Sequence, residues 1–182
     1  MHAIILIKKY NDSCFFWSNL IKINKFPDMP VVDIIHQYQG FEGELIFYSL
    51  WDENYKKPKE LINRLRIGRP QEYLLIHVVS GLEDMSLCVD SQAVFLGFDV
   101  GVCDEEKTIF SSIFNEILFG NLLELIAFKD ELNENFLFPS RDLAEKYVSL
   151  HNDLSALGRG VEDYEKMTIY KILKEKSIAM MS

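Results

Sequence analysis

The stretch EYLLIHVVS, residues 72 to 80, is a near-continuous apolar run too short to cross a membrane and rich in β-branched side chains. A run of that kind reads as a strand buried on both sides, so the chain must build a sheet around it. Other segments supply neighbours. AIILIKKY (3 to 10) opens with β-branched residues and then two lysines, and ELIFYSLW (44 to 51) carries more aromatic and β-branched content than a surface helix would. MSLCVD (85 to 90) and AVFLGFDV (93 to 100), joined by Ser91 and Gln92, predict a hairpin. CFFWSNLIKI (14 to 23) is a further strand of poorer periodicity, and in MPVVDIIHQY (29 to 38) helix and strand compete.

Helical signals gather later. Pro58 and Gly68 bracket one short early helix, with Leu61, Ile62 and Leu65 on one face. In TIFSSIFNEILFG the apolar pairs Ile109/Phe110, Ile113/Phe114 and Ile117/Leu118 recur every four positions, which predicts a helix from 108 that Gly120 ends. NLLELIAFKDEL predicts a second. PSRDLAEKYVSLHNDLSALG predicts a third, with Ser140 as N-cap, a stripe of Leu143, Tyr147, Leu150, Leu154 and Leu157, and Gly158 as its stop. The tail EDYEKMTIYKILKEK fits either a last strand or a helix. The expected fold is α+β, an N-terminal mixed or antiparallel sheet with C-terminal helices packed on one face. No repeat or linker interrupts the 182 residues, so residues 1 to 182 read as a single α+β domain.

The formal net charge of −9 is unevenly placed. Residues 1 to 79 carry 10 Lys+Arg against 9 Asp+Glu, and residues 136 to 182 carry seven of each. Residues 80 to 135 carry 12 acids against Lys107 and Lys129, a balance of −10. Such a field favours a cationic partner. It speaks against nucleic acid, because the one basic run, Lys56 to Arg69, reads largely as the outer face of a short helix. The amino terminus lacks the pattern of a signal peptide, and ILFGNLLELIAF is about half the length of a membrane span, so a soluble cytoplasmic protein is expected.

Chemistry-bearing residues do not assemble into a motif. Cys14, Cys88 and Cys103 form no C-x-x-C pair and read as reduced, buried thiols. His77, inside the most apolar strand, reads as a core imidazole, and His151 faces away from the leucine stripe of its helix. Ser80 lacks the glycines of a nucleophile elbow. Gly97 marks a bulge or close packing, Gly101 a turn and Gly158 a helix stop. Among the carboxylates, Asp99 is the best candidate for burial. Asp104, Glu105 and Glu106 precede the predicted helix at 108 and would offset its dipole by about 0.3 to 1 kcal/mol each. Glu116 falls on the solvated face of that helix. No metal or cofactor is expected, and an enzyme is the less expected class. Two alternatives stay open: a small hydrolase using Asp99 with a carboxylate near 104 to 106, or a non-catalytic interaction subunit.

The segment FLGFDVGVCDEEKTIFSSIFNEI, followed by LNENFLFPSRDLAEKYVSLHNDL, resembles the immunity proteins that bacteria pair with secreted polymorphic toxins, including contact-dependent growth inhibition systems. The resemblance is one of kind and carries over no functional residue. It implies inhibition by stoichiometric binding to a cognate, basic toxin domain, by a monomer or weak dimer. On this reading the partner-binding residues are Glu83, Asp84, Asp90, Asp104, Glu105, Glu106 and Glu116, with Trp17, Trp51 and Phe136 as conceivable apolar anchors.

Overall fold

A computed structural model describes residues 2–11, 22–24, 43–50, 72–80, 93–104, 108–112, 117, 120–161 and 167–175. Seven strands occupy much of this: β1 His2–Lys9, β2 Lys22–Asn24, β3 Gly43–Leu50, β4 Tyr73–Ser80, β5 Ala93–Asp104, β6 Thr108–Ser112 and β7 Met167–Glu175. They form one antiparallel sheet in the order β2-β6-β5-β7-β4-β1-β3. A single helical turn α1, Leu123–Ile126, runs into a 3-10 turn, Ala127–Glu131, and a long helix α2 covers Arg141–Ala156. The architecture is α+β.

The strands foreseen at 3 to 10, 44 to 51, 72 to 80 and 93 to 100 are present. In β4 every residue from Leu74 to Val79 is buried, on both faces of the pleat, as the unbroken apolar run requires. The ambiguous tail resolves as β7, and its place in the sheet is central. It pairs with β5 from Met167 to Glu175 and with β4 from Tyr170 to Lys174. The sheet therefore extends beyond the first hundred residues of the chain.

The helix expected from residue 108 is not formed at its start, because residues 108–112 are strand β6, pairing with both β5 and β2. Apolar pairs repeating every four positions fit a helix, but Thr108, Ile109 and Phe110 also suit a pleated surface, and pairing against β5 decides between them. One consequence is that Asp104 does not precede a helix at 108. It ends β5 opposite Thr108. Gly101 is likewise a strand residue, paired with Ser112 and Thr168, and not a turn.

Gly97 is both things foreseen for it. The register with β7 shifts between Phe95 and Gly97, and an added Cβ at Gly97 would lie 2.6 Å from Leu137 Cβ. Its φ of +150° is one that L side chains rarely adopt.

Helix α2 begins as its sequence specifies, with the Ser140 hydroxyl accepting from Leu143 N at 3.3 Å. It ends in a Schellman arrangement: Gly158 N donates to Ser155 O at 2.8 Å and Arg159 N to Leu154 O at 3.0 Å, with Gly158 at φ +65°. Removing the cap with Ser140→Ala is expected to cost about 1 kcal/mol, read as a lower urea midpoint at unchanged slope.

The buried stripe of α2 is Ala144, Tyr147, His151 and Leu154. It shares Tyr147 and Leu154 with the foreseen stripe, but His151 is turned inward, 1% exposed, and not away from it. Leu143, Leu150 and Leu157 recur every seven residues as one line on the flank, so the first two are half-buried and Leu157, past the helix end, is exposed. A flank of leucines drew the expected stripe off its true axis. Tyr147 anchors the core with Phe128 at 5.2 Å and Phe138 at 5.5 Å between ring centroids, above Val100 of β5 and beside Met167 and Ile169 of β7.

Among the described residues no helix is long and apolar enough to cross a membrane. Of the strand expected at 14 to 23, Lys22 and Ile23 fall in β2 and the rest lies outside the described residues, as do the segments expected at 29 to 38, 58 to 68 and 85 to 90 and Trp17, Trp51, Cys14 and Cys88.

Candidate functional site

Of the seven carboxylates named as partner-binding, Glu83, Asp84, Asp90, Glu105, Glu106 and Glu116 lie outside the described residues. Asp104 is fixed through its backbone as the last residue of β5. Five other acids of the −10 segment can be placed with their side chains, and they divide into an inward one and an outward group.

Asp99 is the inward one, 1% exposed, as its place within an apolar run foretold. Its Oδ1 accepts from Val100 N at 2.8 Å. Cross-strand partners share a face of the sheet, so Asp99 of β5, Tyr170 of β7 and Ser80 of β4 form a polar row across three adjacent strands. Val100 and Ile169, one residue along, point to the opposite face, where α2 packs. The extended backbone of β5 carries Asp99 and Asp104 apart: five residues at 3.3 Å each put their Cα atoms about 16 Å from one another.

Glu124, Asp130, Glu131 and Glu134 form the outward group, all exposed on α1, the 3-10 turn and the loop that follows. Glu124 Oε1 accepts from Arg159 Nη2 at 3.0 Å, which ties α1 to the carboxyl end of α2. With Lys129 the only base between 123 and 134, Asp130, Glu131 and Glu134 leave this surface negative.

Asn133 holds that acidic turn to the sheet. Its Nδ2 donates to Leu96 O at 2.7 Å, at the β5 bulge, while its Oδ1 accepts from Asn135 N at 2.9 Å and Leu137 N at 3.1 Å. Backbone bonds close the same loop: Asn133 N to Leu137 O and Phe136 N to Asn133 O, each 2.9 Å. Phe98 and Phe138 then exchange a pair of 2.9 Å bonds as an isolated antiparallel bridge. Phe136, at φ +57°, packs against the core cluster, so its ring belongs to the interior more than to a docking surface. Asn133 was not foreseen. The signal was the N-E-N turn between a helical segment and FLF, where an Asn side chain commonly closes the backbone on itself.

A groove of about 540 Å³ lies elsewhere, between Arg141, Glu145, Val148, Ser149 and Asn152 of α2 and Met167, Thr168 and Ile169 of β7. Among the described residues that line it, the charged ones are Arg141 and Glu145, which pair at 2.8 Å. His77 is wholly buried in β4, as expected of a core imidazole. Among the described residues no three His, Cys, Asp or Glu side chains are placed to hold a metal ion.

What the described residues offer is a negatively charged, firmly anchored turn. Comparison with protein-family models, with curated proteins and with solved structures gives no match.

Proposed function

We propose that this chain is an inhibitor of the immunity type, binding a cognate basic toxin domain through an acidic surface and blocking it stoichiometrically. The observation that carries the reading is the concentration of −10 of formal charge within residues 80 to 135, of which Asp130, Glu131 and Glu134 stand exposed on a turn clamped by Asn133. A rigid acidic surface speeds encounter with a cationic partner and penalises partners of the wrong charge, whereas a flexible one would lose part of that gain to ordering. The resemblance of residues 95 to 117 and 132 to 154 to immunity proteins points the same way. The candidate contact set remains Glu83, Asp84, Asp90, Asp104, Glu105, Glu106 and Glu116, together with the exposed acids of the turn.

Co-expression with a toxin domain encoded beside this chain is expected to restore growth that the toxin alone abolishes. Stopped-flow association of the purified pair should slow roughly 10- to 100-fold from low to high ionic strength, with dissociation little changed. Cells that die regardless of this chain would remove the inhibitor reading, and association rates flat with salt would remove the electrostatic part of it.

A further inference from the structure

Two of the most exposed large apolar side chains sit at the joint between α1 and α2. Leu123 is 79% exposed and Leu157 is 73% exposed. The Glu124–Arg159 ion pair holds the segment that carries Leu123 against the segment that carries Leu157, across 35 positions of sequence. From Leu123 the outward stripe of the helical run continues through exposed Ala127 to Asp130 and Glu131. Four α-helical steps and three 3-10 steps place that acidic end about 12 Å from Leu123. An apolar foothold and an acidic flank therefore share one patch.

We infer that this patch is a docking surface for a cationic protein segment carrying an aliphatic anchor, with Leu123 and Leu157 receiving the anchor and Asp130, Glu131 and Glu134 the positive charge. The inference rests on the inhibitor reading for its partner, but it locates the desolvated centre of the contact at residues that the charge pattern alone does not single out. Charge complementarity selects this occupant. A second copy of the chain, net charge −9, would bring like acids together, and an anionic membrane surface would be repelled. Affinity in such contacts is carried by desolvated anchors, with charged rims governing encounter.

The full chain is titrated with two short fluorescent peptides of equal positive charge, one placing leucine and arginine at helical spacing, the other replacing leucine with glycine. The leucine peptide is expected to bind roughly tenfold tighter. Leu123→Ser combined with Leu157→Ser should erase that advantage while leaving the weak, salt-sensitive binding of the glycine peptide. Both leucines are largely in solvent, so an unchanged melting temperature verifies that the fold survives. Equal affinity for the two peptides, or an advantage that survives the double substitution, overturns the inference. So does a dimer of the wild-type chain in sedimentation that the double substitution dissolves, which would assign the patch to a second copy. Peptide discrimination without protection of toxin-expressing cells removes the inhibitor reading and leaves the surface standing; protection without discrimination does the reverse.

Discussion

Gly97→Ala is expected to destabilise the protein by about 3 kcal/mol, seen as a fall of about 10 °C in melting temperature. Two independent effects converge there. The φ of +150° is strained for any residue with a side chain, and the new Cβ would lie 2.6 Å from Leu137 Cβ, 3.0 Å from Asn133 Nδ2 and 3.1 Å from Phe138 O. None of these neighbours is the free end of a flexible chain. Leu137 and Phe138 are buried, and Asn133 is tied to Leu96 O. Relief therefore requires the whole turn from 133 to 138 to lift from β5, which breaks the Phe98–Phe138 bridge. Gly158→Ala makes the control. Its φ is also positive, at +65°, but nothing lies within 4 Å of the added methyl, so about 1 kcal/mol is expected. If the two variants melted together, the close packing at Gly97 would not have the weight assigned to it.

Tyr147→Ala is expected to cost about 3 to 5 kcal/mol, measured as a drop in urea midpoint at unchanged slope. The ring is fully buried and is the shared neighbour of Phe128, Phe138 and His151. Its loss opens a cavity between α2 and the sheet that three stiff aromatic rings cannot fill by small shifts. Tyr147→Phe keeps the ring and should retain more than half of the stability lost in Tyr147→Ala. Similar losses for both variants would place the main contribution in the hydroxyl and not in the packing.

Much of this architecture is legible in the sequence where local and tertiary preferences agree. EYLLIHVVS has no alternative to a buried strand, and α2 is bracketed by Ser140 and Gly158, whose side-chain and backbone chemistry stop a helix regardless of context. Legibility fails where the deciding partner is distant. TIFSS carries a helical period, yet β5 and β2 claim it, and neither pairing leaves a trace in the segment itself. MTIYKILKE alternates too little to announce a strand, because successive residues such as Ile172 and Leu173 are buried on both faces. His151 was misplaced for a related reason, since leucines on the flank of α2 outnumber those on its buried axis.

The candidate site divides in the same way. Charge is written in composition, so the acidic third is readable without coordinates, and the burial of Asp99 follows from its apolar surroundings. Which acids face outward is a property of the fold. The separation of Asp99 from Asp104 depends on β5 continuing as a strand to Asp104, and the exposure of Leu123 and Leu157 is opposite to what an apolar pattern suggests.

The position of β7 bears on how the protein is made. The other six described strands precede it in the chain, yet it lies between β5 and β4. A ribosome therefore delivers two incomplete half-sheets before the residues that join them emerge. In that interval the facing edges of β4 and β5 offer unsatisfied amides and carbonyls beside some of the greasiest residues of the chain. Closure has to wait for Met167 to Glu175, and a nascent chain stalled short of them would present adhesive borders to other molecules, a vulnerability best relieved by rapid release or by a chaperone.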